Sequence, residues 1–349
     1  MAVDSRHIPD PAGPDAQQTT DFPIREGVEE IVRDLNRRGG LLGHRLTVAH
    51  GNDQCDGEEA VAVAKRAIAM KVSVVVGHSC SSAAIRASAV YAEAGVVMIA
   101  TGVRHPRLTA PSGRRGIYRL AGRDDRQAES IAQLLASKFP GARTVVVHDE
   151  SLQARGMADE IRRSLVSANT PPLLIVSYPA GKRDYATTVA QIVAAKPDVV
   201  LFTGQPMEAS IILDQVQSTG FRVATAIGTD VLAGEAPPAR LLAATNAFLV
   251  MLPWPGLRDG PVSGGASGFV REAQDTTRSA AEGLLGGAAL ELWAHAVARA
   301  GDVVDGVTLA LRQPSPGRAG RIYFDDRGDA VVPSFLPHVW RAGRWQLRD

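Results

Sequence analysis

Long apolar runs, net charge and cysteine are all scarce in this chain. No run approaches the ~20 apolar residues that a membrane-spanning helix needs. Lys and Arg number 38 against 37 Asp and Glu, a net charge of +1. That balance leaves no electrostatic footprint for general nucleic-acid binding. The opening Met1-Ala2-Val3-Asp4-Ser5-Arg6-His7 has no apolar signal core. It fits a cytosolic protein or a mature form from which a signal has been removed. Short repeats and coiled-coil heptads are also missing.

Only two cysteines occur in 349 residues. Cys55 lies in Asn52-Asp53-Gln54-Cys55-Asp56, and Cys80 in Gly77-His78-Ser79-Cys80-Ser81-Ser82. Each follows a short strand-like run, Leu46–Ala49 and Val72–Val76, with a helix-like stretch, Gly57–Met70, between them. Such a βαβ unit brings both thiols to one rim. They read either as a disulfide, which marks an oxidising compartment, or as two buried free thiols.

What is present is alternation. Hydrophobic residues make up 45% and charged residues 21%, which suits a soluble globular protein filling two lobes. Further strand-like runs are Val96–Ala100, Thr144–His148, Leu173–Ser177, Val199–Phe202 and Val223–Ile227. Helix-like segments near Glu26–Arg38, Ala83–Ala94, Asp125–Lys138, Ala154–Val166, Tyr185–Ala194 and Glu208–Ser218 separate them. The pattern predicts an α/β fold of parallel sheets covered on both faces. Later come helix-like stretches at Ala280–Ala300 and Val304–Leu311, and extended runs at Arg321–Phe324 and Val331–Trp340. Leu120–Arg123 and the Gly- and Pro-rich 253–268 break the alternation. They suggest crossings between lobes near 121, 251 and 327. Lobe 1 would then take 1–121 with 251–326, and lobe 2 would take 122–250 with 327–349.

Catalytic motifs do not assemble. Gly39-Gly40-Leu41-Leu42-Gly43 follows a helix and precedes a strand, the reverse of a dinucleotide loop. Gly77–Ser81 lacks the second glycine of a nucleophile elbow. His78 with Cys80 suggests thiol chemistry only if Cys80 is reduced. His148-Asp149-Glu150 has no second histidine at metal-ligand spacing. No enzyme activity, cofactor or metal is expected.

Several segments, in order, resemble the branched-chain amino-acid (Leu/Ile/Val-type) substrate-binding proteins of ABC importers. They are Leu35–Gly43, Asp53-Gln54-Cys55-Asp56, Ala60–Ala64, Val76–Ser82, Glu93–Ile99, Pro106–Thr109, Val147-His148-Asp149, Lys182–Tyr185, Lys196-Pro197-Asp198 and Phe324–Asp329. The resemblance implies the type I periplasmic binding protein architecture: two Rossmann-like lobes, three hinge crossovers and a ligand cleft between the lobes. It also implies a Cys55–Cys80 disulfide and a periplasmic or extracellular location. The function implied is delivery of a small solute to membrane permease subunits, without chemistry. A cytosolic amide or amino-acid sensor of the same fold, controlling a regulator, is the alternative.

The resemblance points to site residues as well. Ser81 and Ser82 start a helix, where free N–H groups and hydroxyls suit a carboxylate; capping alone is the simpler reading. Gly102, Val103 and Arg104 occupy the loop that contacts the amino-acid head group. Arg104 stands where the family has threonine, which favours an acidic ligand; a solvent-facing Arg104 is the alternative. Asp230 falls at a family acid that pairs with the ligand ammonium; pairing with Arg104, or an exposed loop carboxylate doing neither, are the alternatives. Gln153 and Gln205 replace aromatic residues, and Gln18 replaces a third. Together they imply a polar pocket for an amino-acid-like or related carboxylate-bearing solute. The polar Val3–Pro9 departs from the apolar first strand of the family. Trp254 and Trp293 read as packing residues, with Trp254 in its Pro-rich loop also within reach of a cleft.

Overall fold

The computed structural model describes residues 2–4, 22–110, 113–233, 239–252, 278–317, 320–331, 335–341 and 343–348. Gln18, Trp254 and the stretch 253–268 lie outside these residues. The chain divides into two compact units. One comprises Met1–Arg123, Pro255–Asp275 and Ser279–Val332; the other comprises Asp124–Trp254, Thr276–Arg278 and Pro333–Asp349.

The first unit is built on a five-stranded sheet. Its strands are β1 (Ala2–Asp4), β2 (Thr47–Ala49), β3 (Val74–Val76), β4 (Val97–Ala100) and β5 (Ile117–Arg119), in the order β2-β1-β3-β4-β5. β3, β4 and β5 run parallel. β1 pairs antiparallel with both neighbours.

Alternation along the strands sends side chains to two cores. Val74, Val76, Val97 and Ile99 pack with α1 (Phe22–Arg37) and α9 (Arg278–Ala300). Val75, Met98 and Ala100 pack with α2 (Gly57–Ala69) and α3 (Ser81–Ala94). Ala60, Ala64 and Ala67 of α2 recur at helical spacing and share that core with Ala83, Ala84 and Ala87 of α3. Asp56 starts α2 by accepting from the N–H groups of Glu58 and Glu59 at 2.8 and 2.9 Å. Trp293 is buried in the first core, as expected of a packing residue. Helix α10 (Val304–Leu311) joins that core, and the hairpin β11 (Ser315–Gly317) with β12 (Gly320–Ile322) follows it.

The second unit holds a seven-stranded sheet. Its strands are β6 (Thr144–Asp149), β7 (Leu174–Tyr178), β8 (Val199–Phe202), β9 (Val223–Thr229), β10 (Thr245–Leu252), β13 (Leu336–Arg341) and β14 (Arg344–Leu347). The order is β14-β13-β10-β9-β8-β6-β7. The five strands from β6 to β10 are parallel, and the β13–β14 hairpin adds antiparallel to β10. Val145, Val147, Val200 and Phe202 enter one core, and Val146, Val199 and Leu201 enter the other. Helices α4 (Asp124–Lys138) and α5 (Leu152–Ser167) cover one face; α6 (Ala186–Ala195), α7 (Pro206–Ser218) and α8 (Ala239–Ala243) cover the other.

Asp329 is tied into the first unit: its backbone bridges in parallel to Arg119, and its side chain pairs with the same residue.

Candidate ligand site

In open parallel sheets, ligands gather beyond the carboxyl ends of the strands. In the first unit β3 and β4 end in neighbouring loops. Ser81 and Ser82 are the first two residues of α3, so their N–H groups have no acceptor within the helix. Cys80 precedes them as cap and makes no side-chain capping bond. The Ser82 hydroxyl donates to the Cys55 carbonyl at 3.1 Å. Cys55 and Cys80 form a disulfide with Cα atoms 5.3 Å apart, which joins the two loops covalently.

The 101–104 loop lies against the serine loop. A Cβ on Gly102 would stand 3.2 Å from the Ser79 carbonyl oxygen, so a side chain there would press on that backbone. Gly102 is exposed and Arg104 half-buried. The Val103 side chain is fully buried in the core with Met98, Leu108 and Ile117, which leaves its backbone as the part that faces the loop. Thr101 was not singled out from sequence. It is 2% exposed, and its hydroxyl has no hydrogen-bond partner among the described residues.

In the second unit the strand ends carry a different set. Asp230 follows β9 and accepts from Gln127 Nε2 at 3.0 Å. Gln127 is fully buried and also donates to the Met251 carbonyl at 2.7 Å. Gln205 is exposed at the start of α7, and Gln153 is exposed in the first turn of α5. Asp149 and Tyr178, the last residues of β6 and β7, are register partners. Both are buried. Over Gly204 a Cβ would stand 2.2 Å from the Tyr178 hydroxyl and 3.0 Å from Asp149 Oδ2. Burial pushes the Tyr178 phenol above its ordinary pKa, and the charges of Asp149 and Glu208 push it further. No sequence pattern flagged Tyr178, because it reads as an ordinary strand aromatic.

Residues 10–313 match the periplasmic binding protein family. The chain belongs to that family. Among curated relatives, Leu/Ile/Val-binding protein homolog 1 of Brucella melitensis is 28% identical over 324 residues, covering 92% of this chain and 86% of that protein. A leucine binding protein from Thermotoga maritima superposes with a TM-score of 0.73 at 21% identity, over 93% of this chain and 92% of that one. The branched-chain amino acid transporter substrate binding protein of Streptococcus pneumoniae, solved with isoleucine, gives 0.70 at 22% identity, over 93% and 92%. The fold is therefore that of the type I periplasmic binding proteins, and the role of the family is to bind a solute, not to transform it.

As a periplasmic binding protein the chain carries a buried ionic cluster that sequence reading missed. Arg119 is fully buried at the end of β5. Asp329 Oδ1 accepts from Arg119 Nε at 2.8 Å and from the Thr109 hydroxyl at 2.9 Å. Asp329 Oδ2 accepts from Arg123 Nη1 at 2.8 Å. Arg119 also donates to the His105 carbonyl at 2.6 Å and to the Thr109 hydroxyl. Burial alone would raise the Asp329 pKa; the Arg119 charge and the three hydrogen-bond donors outweigh it and hold the carboxyl below its usual range. The available signal was an arginine inside an apolar run, Ile117-Tyr118-Arg119-Leu120.

Proposed function

We propose that this protein captures a small amino-acid-like solute bearing a carboxylate and delivers it to the permease subunits of an ABC importer. Ser81 and Ser82 hold the carboxylate, with the helix N-terminus supplying N–H donors and a favourable dipole. The observation that carries this reading is the pair of serines opening α3 beyond the carboxyl end of β3. The adjacent loop supplies Gly102, the Val103 backbone and Arg104. The Arg104 guanidinium favours an additional negative charge on the solute. Asp230 takes an ammonium or hydroxyl-bearing end, and Gln153 and Gln205 favour a polar side chain over a branched aliphatic one. The Leu/Ile/Val-binding relatives support an amino-acid-like ligand. The Cys55–Cys80 disulfide supports a periplasmic or extracellular location over a cytosolic sensor of the same fold.

Titration calorimetry with L-leucine, L-glutamine and L-glutamate tests the reading, alongside mass spectrometry of solute that co-purifies. L-glutamate or a similar anion should bind more tightly than L-leucine. Arg104→Ala should weaken the anion at least tenfold and leave L-glutamine within a few-fold. Equal affinity of parent and variant for every anion tested would reject Arg104 as a contact.

A further inference from the structure

A buried polar chain lies directly behind the serine loop. His78 stands two residues before the disulfide cysteine, between β3 and α3, and is 8% exposed. Its Nδ1 bonds to Asp53 Oδ2. Its Nε2 lies 3.2 Å from the hydroxyl of Tyr91, which is fully buried in the third turn of α3. Asp53 Oδ1 in turn accepts from the Cys55 N–H at 2.8 Å.

Proton bookkeeping gives the chain one direction. Burial, then the Asp53 charge, pushes the Tyr91 phenol above its ordinary pKa, so it keeps its proton. Burial opposes ionisation of Asp53, but its bonds to His78 and to the Cys55 N–H outweigh that and hold it ionised. The arrangement with the proton on His78 Nδ1 satisfies both neighbours. Nδ1–H donates to Asp53, and Nε2 accepts from Tyr91. Every polar atom of the chain then has a partner, which is what burial requires.

The three residues belong to three different pieces of the unit. Asp53 belongs to the Cys55 loop, His78 to the turn after β3, and Tyr91 to α3 itself. We propose that Tyr91, His78 and Asp53 form a positioning chain that fixes the serine-bearing N-terminus of α3, acting in addition to the disulfide. The disulfide ties the Cys55 loop to the helix start. The polar chain ties the same loop to the third turn of the helix, so the helix is held at two points along its axis. A single tether leaves rotation about itself; two separated tethers remove it. The consequence for binding rests on the proposed role of Ser81 and Ser82.

Amide and histidine NMR on the unliganded full chain tests the chain itself. In the parent, the His78 ring nitrogens should report a proton on Nδ1, shared with Asp53. Tyr91→Phe should move the amide signals of Ser81, Ser82 and Ala83, ten residues or so up the helix, and leave those of β6 to β9 unchanged. His78→Gln, which keeps one donor and one acceptor, should restore the parent amide positions more fully than His78→Ala. The opposite tautomer, or Ser81–Ala83 signals unmoved in both Tyr91→Phe and His78→Ala, would overturn the proposal. Calorimetry with L-glutamate and L-leucine on the same variants then reads the linked binding role. A fivefold or greater loss in Tyr91→Phe, with recovery in His78→Gln, is the expected result. Shifted amides with unchanged affinity would keep the positioning chain and reject the serines as the carboxylate site.

Discussion

Arg119 and Asp329 stand 210 positions apart in the chain and form a buried ion pair, with Arg119 Nη2 2.7 Å from Asp329 Oδ1. Their backbones are bonded as well: the Arg119 N–H donates to the Gly328 carbonyl at 2.8 Å, and the Ala330 N–H donates to the Arg119 carbonyl at 2.9 Å. Gly328 makes that approach possible. Its φ is +91°, and a Cβ there would meet the Ile117 carbonyl oxygen at 2.2 Å.

Removing the carboxylate takes the Asp329 charge away from the fully buried Arg119 guanidinium. Asp329→Ala should therefore destabilise the protein by about 3–5 kcal/mol, the usual cost of breaking a buried pair. Urea denaturation followed by tryptophan fluorescence measures this. A loss below about 1 kcal/mol would mean that water reaches and solvates the pair.

Acid should expose the same cluster. Asp329 and Asp53 both have folded pKa values below the ordinary carboxylate. Their contribution is complete above the unfolded value of about 3.9 and is lost as pH falls through the lower folded values. Melting temperature should fall steeply below about pH 4. Asp329→Asn and Asp53→Asn should each start less stable at neutral pH and show a shallower acid slope. Parallel curves for parent and variants would remove these two groups from the account.

The disulfide closes a loop with a sequence separation of 25. In the chain-entropy picture such a loop is worth about 3–4 kcal/mol. Replacing both cysteines, Cys55→Ala with Cys80→Ala, should lower the urea midpoint accordingly and steepen the slope, because the unlinked unfolded chain is less compact and exposes more surface. An unchanged midpoint would remove the cross-link from the stability account.

Gly204 is required by its neighbours and not by its own backbone. Gly204→Ala pushes a methyl group into the Tyr178 hydroxyl, and overpacking of this kind costs about 1–3 kcal/mol. Tyr178→Phe removes the obstructing oxygen, so the double variant should recover most of that loss. Additive losses in the double variant would place the clash elsewhere.

Much of the framework was legible along the chain. Runs such as Val74–Val76 and Val145–Val147 lie in strands buried on both sides, and the alanine spacing of Gly57–Ala69 marks a helix packed closely on a neighbour. The strands passed over were Ala2–Asp4, Ile117–Arg119, Thr245–Leu252, Ser315–Gly317 and Arg344–Leu347. Most are short or polar, so local pattern carries little signal. Thr245–Leu252 is long, but it follows a helix of five residues, too short to announce an alternation. At the candidate site the serines were legible as a helix start. Val103 was not legible as core, because one apolar residue in a loop carries no periodicity.

Period, composition and ordered motifs along the chain were enough to determine the α/β class, the paired cysteine loops and the family resemblance. Each depends on residues close together in sequence, where backbone geometry imposes a fixed spacing. Folding alone decided that Arg119 would meet Asp329, that Tyr91 would reach Asp53 through His78, and that Tyr178 would fill the space above Gly204. Those partners are brought together by sheet order and helix packing, and burial then makes their charges and hydrogen bonds strong. Linear spacing encodes neither.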